Sequence, residues 1–189
     1  MNEKTINAVS TLIVIGIISG VVALILLLIP NRYEISIQTS GVLGRLGDED
    51  FSEQRNIYIN GVYTRSFFRQ DVFHGKFIIE GFDFTSDGSI VTLHPDSNVG
   101  NIMLYVNFDG LRRGSYIDSY NTFGTIFFSP KFEYFTILIP EPTDNPTLRV
   151  WNGATGEFLS GPADNRSEAL RVLYKFLKES LYLDSVIFR

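Results

Sequence analysis

The sequence predicts a mainly β protein: an antiparallel β-sandwich or partly open barrel with a C-terminal α-helix, preceded by one N-terminal transmembrane helix. Three observations carry this. Residues 8–29, AVSTLIVIGIISGVVALILLLI, hold no charge. From residue 33 onward, short runs alternate apolar and polar residues between clusters of Gly, Asn, Asp and Pro, as half-buried strands do. Near the end the apolar spacing lengthens to three and four, the helical period.

The uncharged run comes first. Its 22 residues span roughly 33 Å as a helix, enough for a hydrocarbon core about 30 Å thick. It has no polar stripe of the kind a surface helix keeps. It exceeds the apolar core of about 7–15 residues in a cleaved signal peptide, and LILLLI before Pro30 offers no small residues for cleavage. The chain has no cysteine, which excludes a lipoprotein anchor, disulfides, thiolate metal sites and thiol catalysis. The expectation is an uncleaved signal anchor at 8–29, which with a short N-terminal tail makes up residues 1–31, followed by one extracytoplasmic β-rich domain, 32–189. Lys4 on one side against Arg32 and Arg45 on the other leaves the positive-inside rule nearly balanced. The short leader favours the N-terminus inside, hence a single-pass protein of the cell membrane with its domain outside. Gly16 and Gly20, with Ala23 near the same side, form a small-residue pattern that lets two such helices approach. A plain lipid-facing anchor is the competing expectation.

The 16 Phe, nine Tyr and one Trp all lie at Tyr33 or beyond, enough to fill a sizeable core. The net charge is −5, and Glu3 and Lys4 cancel in the leader, so the domain carries it all. A basic footprint for nucleic acid is missing; Arg112-Arg113 is read as a solvated turn.

The elements follow in order. YEISIQT at 33–39 alternates as a strand. SGVLGRLGDEDFSEQ at 40–54 reads as a mobile loop, its glycines spaced for neither a P-loop nor a dinucleotide fingerprint. NIYINGVYT predicts a hairpin turning at Asn60-Gly61 and pairing Ile59 with Val62 and Tyr58 with Tyr63. In VFHGKFIIEGFDF, Phe73, Phe77 and Ile79 share a face, and a bulge at Gly81 shifts the apolar parity to Phe82 and Phe84.

DFTSDGSIVTLH, 83–94, begins like a calcium loop, but its twelfth place is His94 and not a carboxylate. A hairpin at Asp87-Gly88 instead sets Phe84 opposite Val91 and Phe82 opposite Leu93. IMLYVNF places Ile102, Leu104, Val106 and Phe108 on one apolar face. FGTIFFS, 123–129, and FEYFTILI, 132–139, flank a turn at Ser129-Pro130-Lys131; the second is apolar on both faces and so central. PEPTDNP, 140–146, is a connection, and TLRVW and GEFLS are short strands. A helix over about 165–182 gathers Ala169, Val172, Leu173, Phe176, Leu177 and Leu181 on one side. Asp164, Asn165 or Ser167 caps it, and Glu168 sits in its first turn. VIFR, 186–189, adds a last strand or tucks in.

Chemistry is sparse. The Asp87-Gly88 hairpin register puts His94 opposite Gly81, about 23 Å along the strand from His74, so both read as rim histidines. HExxH, GxSxG and SxxK patterns do not occur. Glu80, Asp83, Asp109, Asp118 and Glu133 are the acids on which paired-carboxylate hydrolysis would have to draw. Catalytic, cofactor-binding and metal-ligating residues are therefore expected to be none. Most rings are expected to fill the core; a sugar- or peptide-binding platform of exposed aromatics is the alternative.

At FFRQDVFHGKFIIEGFDF the sequence resembles an uncharacterised family of small membrane-anchored proteins of Gram-positive bacteria. Phe73, Gly75, Phe77, Ile79, Gly81, Phe82, Asp83 and Phe84 carry the likeness. The resemblance covers the anchor and about 30 residues; it implies an exported topology and no activity. The expected function is a non-enzymatic binding or interaction module at the cell surface, with a protein or cell-wall partner and no nucleic acid. The alternatives are a surface hydrolase using acidic residues and a cytoplasm-facing membrane regulator.

Overall fold

A computed structural model describes residues 13–22, 24, 28–86, 90–95, 100–106, 120–144 and 149–179. Ten strands are described: β1 (Asn31–Arg45), β2 (Asp48–Arg65), β3 (Val72–Ile79), β4 (Val91–Leu93), β5 (Asn101–Val106), β6 (Tyr120–Phe128), β7 (Phe135–Ile139), β8 (Glu141–Pro142), β9 (Arg149–Val150) and β10 (Glu157–Gly161). Eight form one antiparallel sheet in the order β4-β3-β2-β1-β10-β7-β6-β5, and β8 pairs with β9 alone. The architecture is a nearly closed barrel, not a sandwich, with a C-terminal helix on its outer wall.

Closure is made by side chains. The sheet's end strands, β4 and β5, are joined where Asn101 Oδ1 accepts the His94 N–H at 2.6 Å and Asn101 Nδ2 donates to the His94 carbonyl at 2.7 Å. Deeper in, the Tyr105 hydroxyl donates to the Phe77 carbonyl at 2.7 Å, tying β5 to β3. Burial pushes the Tyr105 phenol up, so it stays a donor.

The interior holds rings. Tyr63, Phe73, Phe77, Tyr105, Phe132 and Phe135 are each at most 2% exposed. Phe132 stacks on Phe128 at 4.5 Å and meets Phe73 edge-on at 4.7 Å. On the outer wall Val42, Phe127, Leu138 and Phe158 are covered by Ala169, Leu173, Phe176 and Leu177 of the helix Arg166–Glu179. β7 therefore buries both faces, and Thr136 on its helix side bonds the Ser160 hydroxyl of β10 at 2.7 Å. Asn165 caps the helix by accepting the Glu168 N–H at 3.0 Å, while Glu168 reaches back to the Asp164 N–H at 3.0 Å. This is a variant of the capping box, its return bond landing on the residue before the cap.

Several expectations are corrected. The segment 40–54 is no loop: β1 runs through Gly41 and Gly44 to Arg45, turns at Leu46-Gly47 and returns as β2. Asn60-Gly61 does not turn either. It lies inside β2, with Ile57, Ile59 and Tyr63 inward and Tyr58 and Val62 outward. Gly61 is there for close approach: it pairs with Gly75 of β3, and the Phe73 ring lies over both, 2.9 and 2.7 Å from where their Cβ atoms would stand. The flanking pairing of two long strands overrides the local turn preference.

The hairpin at Asp87-Gly88 gives way to another register. β4 pairs with β3, Phe73 opposite Leu93 and Gly75 opposite Val91, and Asp83–Thr85 is a 3-10 turn; residues 87–89 lie outside the described set. Thr85 holds that turn: its hydroxyl donates to the Phe82 carbonyl at 2.8 Å and accepts the Ile79 N–H at 3.0 Å. Gly81, at φ +83°, ends β3 instead of bulging it. Phe82 and Phe84 then pack on Phe123.

The face of β5 is also reversed. Met103 and Tyr105 are buried, while Ile102 is 67% and Leu104 43% exposed; Phe108 lies outside the described residues. Phe132 is not on a strand but in the 3-10 turn Pro130–Phe132, where Lys131 and Phe132 adopt left-handed φ. PEPTDNP contains the short strand β8. Leu181 and VIFR lie outside the described residues, as do Arg112-Arg113.

Of the span predicted at 8–29, residues 13–22 are helical, and 8–12, 23 and 25–27 lie outside the described residues. Among the described residues no helix is long and apolar enough to cross a membrane.

Candidate functional site

A concavity with chemical character lies where the chain enters the barrel. β1 begins at Asn31 directly opposite Arg65, the last residue of β2. The connection from β2 to β3, residues 66–71, therefore hangs beside the entry point. Asp71 closes it: one carboxylate oxygen accepts the Tyr63 hydroxyl at 2.7 Å and the other the Ser66 N–H at 3.1 Å. His94 Nδ1 lies 3.2 Å from the Asp71 carbonyl. Held at both ends, the connection projects Phe67 and Phe68 outward, 73% and 59% exposed, edge to face at 4.9 Å.

A cleft of about 650 Å³ opens between this connection, the base of β1 and the Pro130–Phe132 turn. Arg65, Arg69 and Lys131 line it, with Tyr33 and Ile29 on the side of the entering chain. Lys131 Nζ sits 5.3 Å from the centre of the Tyr33 ring, a cation–π distance. Such a site can hold an anion against an apolar wall.

The remaining groups do not converge. His74 Nδ1 lies 2.9 Å from Thr92 Oγ1. The actual β3–β4 register brings the two histidines much closer than the predicted hairpin did, because Leu93 lies opposite Phe73. Among the described residues no cluster of three His, Asp or Glu is placed to hold a metal. Glu80 accepts from the Asn56 side chain at 2.7 Å, Asp83 sits in its 3-10 turn, and Asp109 and Asp118 lie outside the described residues. Glu141 and Glu157 share one arginine. Arg45 takes both, with Glu157 in direct contact and Glu141 at 3.8 Å, and Glu157 holds the Arg45 guanidinium above its usual range.

In the N-terminal helix, Gly16 and Gly20 face open space, with nothing beyond their own helix backbone within 4 Å of where a Cβ would stand, and Ala23 lies outside the described residues. The sequence did not single out 65–71. Its signal was RSFFRQ, an aromatic pair between two arginines, but the Tyr33 and Lys131 walls come from distant segments.

The fold and cleft thus define a small filled barrel with a basic, aromatic-rimmed entry end. No protein-family model, curated protein or solved structure matches the chain.

Proposed function

We propose that the chain is a membrane-anchored, non-enzymatic interaction module, a filled barrel held at the cell surface by residues 8–29. One observation carries this. In the N-terminal helix Ile13, Val14, Ile15, Ile17, Ile18, Val21 and Val22 are all 50% exposed or more, although the barrel beside them has a sealed core. Apolar side chains on every side of a helix call for apolar surroundings, and a bilayer supplies them. The likeness of 73–84 to membrane-anchored proteins of Gram-positive bacteria supports the same topology. Because rings occupy the barrel interior, recognition falls to the outer surface, where Ile102 and Leu104 stand exposed on β5.

Protease treatment of intact cells expressing the full chain tests the display. Loss of the domain with an anchor fragment left in the membrane is expected. Full protection until the cells are lysed would place the domain on the cytoplasmic side and overturn the surface role.

A further inference from the structure

The cleft at the barrel's entry end deepens the anchor reading, on which this inference rests. Only Pro30 separates Ile29, the last residue of the apolar run, from Asn31, and two residues reach at most about 7 Å. Arg65, paired with Asn31, therefore stands within the headgroup layer, which adds about 5–7 Å to each side of the hydrocarbon core.

Three cations face the cleft, Arg65, Arg69 and Lys131, in a chain whose net charge is −5. Among the described residues none of the three is in an ion pair. The one carboxylate lining the cleft, Asp71, is spent on Tyr63 and Ser66. Beside the cations, Phe67 and Phe68 expose an aromatic pair to whatever lies beyond the loop. Basic residues next to aromatic ones at the end of an apolar span are what a headgroup layer accommodates: cations meet phosphates and rings sit at the boundary.

We propose that this cleft binds the phosphate-bearing headgroup of an anionic phospholipid, with Phe67 and Phe68 seated in the interface of the same leaflet. The contact fixes the barrel against the membrane instead of leaving it to swing on its tether.

The test uses the full chain carrying Phe67→Trp in nanodiscs of phosphatidylcholine with increasing phosphatidylglycerol. The brominated chains of either lipid serve as the quencher, and the parent chain with Trp151 gives the baseline. Quenching that grows with phosphatidylglycerol is expected. The half-saturating fraction should rise about fivefold for each of Arg65→Gln, Arg69→Gln and Lys131→Gln, the effect of one cation near an anionic surface. All three side chains are exposed, so the variants keep the fold. Equal quenching in the two lipids, with the chain still co-migrating with the discs, would overturn the headgroup site alone. Failure to co-migrate would remove the anchor and this inference with it. An equal emission change on adding inorganic phosphate to lipid-free chain in detergent would make the cleft a free-anion site and overturn the lipid assignment.

Discussion

The side-chain amide of Asn101 stands in for a strand: its oxygen accepts the His94 N–H at 2.6 Å and its nitrogen donates to the His94 carbonyl at 2.7 Å. β4 has only three residues, so backbone pairing alone cannot seal the barrel there. Asn101→Ala should cost about 1–3 kcal/mol for two lost hydrogen bonds. Asn101→Asp should cost at least as much, because a carboxylate has no N–H for the His94 carbonyl. Urea unfolding midpoints of the full chain in detergent check this; an unchanged midpoint for both variants would remove the clasp.

Tyr105 makes the second tie, from β5 to the Phe77 carbonyl. Tyr105→Phe should destabilise by about 1–3 kcal/mol, since it leaves a buried acceptor unpaired. Burial raises this phenol's pKa in the folded state. Its contribution is therefore complete below the unfolded value of about 10 and is lost as pH climbs above it. Stability measured from pH 8 to 11 should fall more steeply for the parent than for Tyr105→Phe.

Gly61 and Gly75 face each other beneath the Phe73 ring. A Cβ on Gly75 would stand 2.4 Å from the Asn60 carbonyl oxygen, and one on Gly61 2.5 Å from that of His74. Because both obstacles are backbone, Gly75→Ala and Gly61→Ala should each cost about 1–3 kcal/mol. Thermal unfolding reads the difference, and an unaffected midpoint would mean the two strands do not approach so closely.

Glu168 joins the capping box of the C-terminal helix. The Asp164 N–H, then Asn165, hold its carboxyl below the usual value of 4.5. A depressed carboxylate contributes stability above its unfolded pKa and loses it as pH falls through the folded one. Glu168→Gln should be less stable than the parent at pH 7, with the gap closing as pH falls below about 4.5. Asn165→Ala, which removes the cap itself, should cost about 1 kcal/mol and carry only a smaller share of that pH dependence, since the Asp164 N–H remains the main group holding Glu168 down. Circular dichroism at 222 nm during denaturation separates the two.

Ile102 and Leu104 lie on the outer face of β5. Replacing both with serine should leave the unfolding free energy within about 0.5 kcal/mol of the parent. If this face meets a partner protein, the double variant should lose the crosslinked adducts that the parent forms on cells. A large loss of stability would instead mean that these side chains are buried.

The β class was legible because alternation survives in most strands: Phe73, Phe77 and Ile79 point inward as their spacing required. The helix was legible from Ala169, Leu173, Phe176 and Leu177, all buried. β5 was misassigned because it is apolar on both sides; the choice went to Tyr105, whose hydroxyl finds the Phe77 carbonyl across the barrel. Asn60-Gly61 misled because turn preference is local, whereas β2 is held along both its edges, by β1 and β3. The basic cleft was invisible because Tyr33, Arg65 and Lys131 meet only through register and the Pro130–Phe132 turn.

Alkaline carbonate extraction of membranes containing the full chain weighs most directly on the tethered-barrel account. The chain should stay with the lipid pellet, while a version lacking 1–31 is released. Release of the full chain into the supernatant would contradict it.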